Sequence, residues 1–78
     1  MNAKHREILS ALADTEWRTV KEIAAVIEAR AETVGETLAT MRREGLVARV
    51  RDGKGYAWAI TNHGLLEYRS AEDGRIIG

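Results

Sequence analysis

Cysteine does not occur among the 78 residues, which removes disulfides, thiolate catalysis and cysteine-based zinc sites together and suits a reducing cytoplasm. Apolar runs are short. Ile23 to Ile27 and Tyr56 to Ile60 fall far below the length that crosses a bilayer, and the N-terminal MNAKHREILSALAD has no signal-peptide apolar block. A soluble cytoplasmic chain with no membrane partner is expected. Neither sign of charge is in excess: 12 Lys plus Arg balance 12 Asp plus Glu, so the general cationic surplus of many nucleic-acid binders is missing. No internal repeat, linker or low-complexity segment interrupts the chain. There is no glycine-rich phosphate loop, no acid pair in an apolar setting and no nucleophile beside a base, so neither an enzyme nor a cofactor is expected. His5 and His63 stand far apart without carboxylate or cysteine at ligand spacing; each reads as an exposed polar residue and no metal site is expected.

What is present centres on Ile23 to Val47. Val34, Leu38 and Met41 recur at i, i+4 and i+7, one apolar stripe of a 3.6-residue repeat, and Gly45 follows as a left-handed terminator. Upstream, Ile23, Ala24 and Ile27 form a second stripe, and Thr19-Val-Lys-Glu22 has the spacing of a capping box. Two amphipathic helices, about Val20 to Glu28 and Ala31 to Glu44, therefore meet across a short turn. An earlier helix, about Ala3 to Ala13, carries Ile8, Leu9 and Leu12. Trp17-Arg18-Thr19 suits a short edge strand with Trp17 covering the core. After Gly45 the pattern alternates with a period of two: Leu46 to Arg51, then a flexible glycine-bearing tip at Asp52 to Gly55, then Tyr56 to Ile60. Thr61 can cap a last helix, about Asn62 to Ala71, anchored by Leu65, Leu66 and Tyr68. Residues 72–78 have no periodicity and are expected to be disordered. The expected core holds Leu12, Ile23, Ile27, Leu38, Met41, Leu46, Trp58 and Ile60.

The charge distribution is more informative than the total. From Arg42 to Lys54, five basic residues (Arg42, Arg43, Arg49, Arg51, Lys54) face two acidic ones (Glu44, Asp52). On the helix before them, Glu32, Glu36, Thr40 and Arg43 lie opposite the apolar stripe, with Thr33 and Thr37 at its flanks.

The succession helix, short strand, helix, helix, two-stranded hairpin, helix resembles the winged helix-turn-helix superfamily of small bacterial or phage transcriptional regulators. Ile23-Ala24, Thr33-Val34, Leu38, Met41 and Gly45-Leu46-Val47 match the pattern of its helix-turn-helix without a gap, and Ile60-Thr61 with Gly64 resembles the close of its wing. Glu28 stands where such turns usually have glycine, and Arg30 where the third helix usually has a Ser or Thr cap. The resemblance implies an α+β, mostly helical domain over residues 1–71 that binds double-stranded DNA. It implies base reading by Glu32, Thr33, Glu36, Thr37 and Thr40, and phosphate contacts from Lys21, Arg30, Arg42, Arg43, Arg49, Arg51 and Lys54. A protein partner held by the acidic face of the third helix is the alternative. Ile76 and Ile77, in an otherwise polar tail, could pair two copies as a homodimer.

Overall fold

The computed structural model describes residues 3–77, with side chains through residue 71. Seven elements follow in order: α1 (Ala3–Leu12), β1 (Arg18–Thr19), α2 (Val20–Ile27), α3 (Ala31–Arg43), β2 (Val47–Asp52), β3 (Gly55–Ile60) and α4 (Asn62–Ile77). The strands make one antiparallel sheet in the order β1-β3-β2. This is the winged helix-turn-helix arrangement expected from the sequence.

Each helix begins or ends where local chemistry directs. At the start of α2 the Thr19 N–H donates to Glu22 Oε1 (2.8 Å) and the Glu22 N–H donates to Thr19 Oγ1 (3.2 Å), completing the capping box. At the end of α3, Gly45 takes φ +79°, its N–H donates to the Arg42 carbonyl and the Leu46 N–H to the Met41 carbonyl, both at 3.0 Å. That pair of bonds is the Schellman arrangement, which satisfies the last carbonyls and turns the chain back to the core. Glu28 ends α2 the same way without a glycine: it sits at φ 55°, ψ 49°, and the Ala29 N–H donates to the Ala24 carbonyl.

The core joins α1, α2, α3 and the sheet. Ile8, Leu9, Leu12, Ile23, Val34, Leu38 and Met41 are fully buried, and Leu46, Val47 and Trp58 close the cluster from the sheet side. Ile27 and Ile60 pack against it half-buried. The central strand β3 is shielded on both faces, so Ala57 and Ala59 are buried along with Trp58. Alternation alone does not reveal that, because it reports one face at a time.

Four expectations are corrected. Trp17 does not cover the core and is 49% exposed. The register pairs Arg18 with Trp58, whose side chain faces the core, so the preceding Trp17 is turned to the opposite side of the sheet. Leu66 does not anchor α4 and is 63% exposed; that helix packs through Gly64 and Tyr68, with Leu65 half-buried. The wing tip is not a four-residue flexible loop, since Asp52 pairs with Gly55 and leaves only Gly53 and Lys54 in the turn. Gly53 takes φ +63°, the glycine-first geometry that two-residue hairpin loops favour. Finally, α4 continues past Ala71 to Ile77. No proline stops it there, and Gly74 in its interior costs only about 1 kcal/mol. The side chains of Ile76 and Ile77, expected to pair two copies, lie outside the described residues.

Candidate nucleic-acid interface

Helix α3 presents two unlike faces. Val34, Leu38 and Met41 are wholly buried, whereas Glu32, Thr33 and Glu36 are exposed and Thr37 and Thr40 are half-buried beside them. All five candidate base-reading residues thus share the outward side of one helix. Two of their hydroxyls are already engaged: Thr37 Oγ1 donates to the Thr33 carbonyl (2.9 Å) and Thr40 Oγ1 to the Glu36 carbonyl (3.3 Å). Arg43 Nη2 in turn donates to Thr40 Oγ1 at 3.3 Å. Arg30 is the exposed residue preceding α3 and makes no side-chain cap, which leaves the first amides of the helix open.

The basic run of the sequence divides in space. Arg42 and Arg43 are exposed at the C-terminal end of α3, about 15 Å along the axis from Glu32. Arg49, Arg51 and Lys54 are exposed on the wing. Arg49 is held in place: its Cζ lies 4.1 Å from the centroid of the Tyr56 ring and 5.7 Å from that of Trp58, while Arg51 lies 5.8 Å from Tyr56. Such stacking orders a guanidinium without consuming its donors. Sequence reading missed this platform, though the cross-strand pairs Arg49 with Trp58 and Arg51 with Tyr56 follow once the hairpin register is known. Lys21, at the start of α2, lines a recess of about 380 Å³ together with Asp52, Gly55 and Tyr56 of the wing. A residue more than thirty positions away in sequence is thereby brought beside the hairpin.

Two carboxylates elsewhere are held below their ordinary range. Glu22 is lowered chiefly by the Thr19 backbone N–H, and Asp14 chiefly by the Glu16 N–H, with Arg18 adding two contacts at 3.1 and 2.7 Å. Both fix the approach to α2. His5 and His63, remote in sequence, line one recess with Glu44 and Glu67. His5 is largely buried and its Nδ1 lies 3.9 Å from Glu44 Oε1, so the expectation of an exposed His5 is corrected. The α1 turn carrying it packs on the C-terminal end of α3, a contact no local pattern encodes. Among the described residues no three His, Cys, Asp or Glu side chains are placed to hold a metal ion, and no helix is long and apolar enough to cross a membrane.

These features define a winged helix-turn-helix domain of the kind found in bacterial transcriptional regulators. Residues 3–49 match the sequence pattern of the bacterial regulatory protein arsR family, and the chain belongs to that family. That family is one of bacterial regulatory proteins. No curated protein matches it closely enough to add a finer assignment. Solved structures share the fold. The MarR family transcriptional regulator SPO1453 of Silicibacter pomeroyi is 19% identical with a TM-score of 0.81, over 97% of this chain and 56% of that one. MepR of S. aureus, solved as a complex with DNA, is 18% identical with a TM-score of 0.83, over 94% and 63%. The homodimeric winged helix-turn-helix DNA-binding domain of Mb0332 from Mycobacterium bovis, a possible ArsR-family transcriptional regulator, is 23% identical with a TM-score of 0.82, over 95% and 68%. The chain thus spans little more than half the length of the first of these.

Proposed function

We propose that this chain binds specific double-stranded DNA sequences as a small transcriptional regulator, with α3 in the major groove and the wing on the phosphate backbone. The observation that carries the reading is the division of α3 into a wholly buried stripe and an outward polar edge, accompanied by a wing whose three cations are all exposed. Glu32, Thr33, Glu36, Thr37 and Thr40 face the bases. Lys21, Arg30, Arg42, Arg43, Arg49, Arg51 and Lys54 anchor phosphates on either side, the contacts that supply most of the affinity. Residues 1–71 form the binding unit and 72–78 lie outside it.

Selection of bound fragments from random duplex DNA, followed by titration at several salt concentrations, tests the reading. A selected site and an affinity that falls steeply with salt are expected. Absence of binding even at low salt would overturn it in favour of a protein partner on the acidic face of α3. A second copy belongs to the same reading, because the M. bovis domain is homodimeric and operators built from two half-sites suit paired readers. Val26, 61% exposed, lines a recess with Ala11, Ile27 and Tyr68 that offers apolar surface for that pairing. Sedimentation that shows a monomer at high concentration, with and without DNA, would exclude it.

A further inference from the structure

From the hydrogen-bond polarity of α3 we infer that its outward edge reads exocyclic amino groups, cytosine N4 first and adenine N6 second, and takes no reading from guanine. The inference rests on the DNA-binding function proposed above and names the bases that function selects.

From Ala31 to Met41 the helix carries no Arg, Lys, Asn, Gln or His. Its outward polar groups are two carboxylates, Glu32 and Glu36, and three hydroxyls. A carboxylate only accepts. The hydroxyl protons of Thr37 and Thr40 are committed to the Thr33 and Glu36 carbonyls, so those oxygens also turn lone pairs outward, and one lone pair of Thr40 is occupied by Arg43. Thr33 alone keeps a proton for either use. The edge is therefore almost wholly an acceptor surface.

The major-groove edges of the bases sort themselves against such a surface. Guanine shows two acceptors, N7 and O6, and would oppose lone pair to lone pair. Thymine shows an acceptor and a methyl group. Adenine offers the N6 donor, but with the N7 acceptor beside it, where the second oxygen of a carboxylate is repelled. Cytosine offers N4 with no acceptor next to it on its major-groove edge, so Glu36 meets its best partner there. Phosphate repulsion sharpens the choice. Two carboxylates inside the groove oppose binding to every sequence, and only a site with amino donors offsets that opposition. Discrimination then comes from low affinity for wrong sequences as much as from contacts in the right one.

The test uses the full chain and the duplex selected from random DNA. Replacing the cytosine assigned to Glu36 by pyrimidin-2-one deletes the N4 amino group, and this should weaken binding roughly ten-fold or more for the parent but hardly at all for Glu36→Ala. Replacing the paired guanine by 7-deazaguanine deletes N7 and should leave the parent unchanged. Glu36→Gln, which both donates and accepts, should select adenine at that position, where it can bond N6 and N7 together. Strong loss with 7-deazaguanine, or a Glu36→Gln variant that still selects cytosine at that position, would overturn the amino-donor reading while leaving DNA binding intact. Failure of the parent to bind any duplex would overturn both.

Discussion

At Glu28 an L-residue holds the left-handed backbone that glycine holds at Gly45, with the same type of bond closing each helix. The side chain at Glu28 crowds its own backbone there, at a cost of roughly 1–2 kcal/mol that glycine does not incur. Glycine also gains freedom in the unfolded chain, which offsets part of the difference. Glu28→Gly should therefore stabilise the domain by about 0.5–1 kcal/mol, read as a higher urea midpoint at unchanged slope. An unchanged or lower midpoint would show that the Glu28 side chain is held by something worth as much as its strain. Glu22 gives a second test, through pH. Its folded pKa lies below the ordinary value near 4.5, so the stability it contributes is complete above pH 4.5 and is lost as pH falls through the folded value. Glu22→Gln keeps an acceptor for the Thr19 N–H but cannot titrate. Its urea midpoint should fall less than the parent's between about pH 5 and 3, and parallel acid limbs would remove the linkage.

Where elements join, the Thr61 to Gly64 turn binds the wing to the end of α3. The Thr61 N–H donates to the Leu46 carbonyl (3.1 Å), Thr61 Oγ1 donates to the Gly45 carbonyl (2.6 Å), and the Gly64 N–H donates back to Thr61 Oγ1 (2.9 Å). A Cβ at Gly64 would overlap the Leu46 carbonyl oxygen, which belongs to backbone and cannot swing aside. Gly64→Ala must therefore push α4 off the strand entry and should cost about 1–3 kcal/mol, as overpacking does. Parental stability in thermal or urea unfolding would mean that α4 yields more easily than this contact implies. The sequence showed Thr61 and Gly64 as a spacing; the close approach that requires the glycine emerges only when Leu46 is placed opposite. The same boundary separates what was legible elsewhere. Caps, the α3 stripe and the left-handed Gly45 depend on neighbours within one turn, and periodicity reports them. The outward Trp17 depends on pairing Arg18 with Trp58, and the His5 contact with Glu44 on packing between helices. Neither leaves a trace in local hydropathy. The outward set on α3 was legible because it is the complement of the buried stripe, while the aromatic hold on Arg49 needed the wing register.

For the molecule as a whole, net charge is zero, so attraction to DNA has to come from where the cations sit. That makes the wing separable from the rest. Arg49 is unsuited to the test, because its stack on Tyr56 means that truncation removes packing as well as charge, and a stack of this kind contributes about 0.5–1 kcal/mol at an exposed site. Arg51 lies near the outer limit for such a stack and Lys54 sits in the two-residue turn, both exposed. Arg51→Ala with Lys54→Ala should leave the urea midpoint nearly unchanged. The pair should weaken binding to all DNA sequences alike and lower the slope of log affinity against log salt by roughly one unit per lost phosphate contact. Base preference should persist if, as proposed, the acceptor groups that sort sequences are those on α3. A double variant that binds as tightly as the parent at every salt concentration would show that the wing does not grip phosphate. One that loses preference as well as affinity would place base reading on the wing instead of the helix.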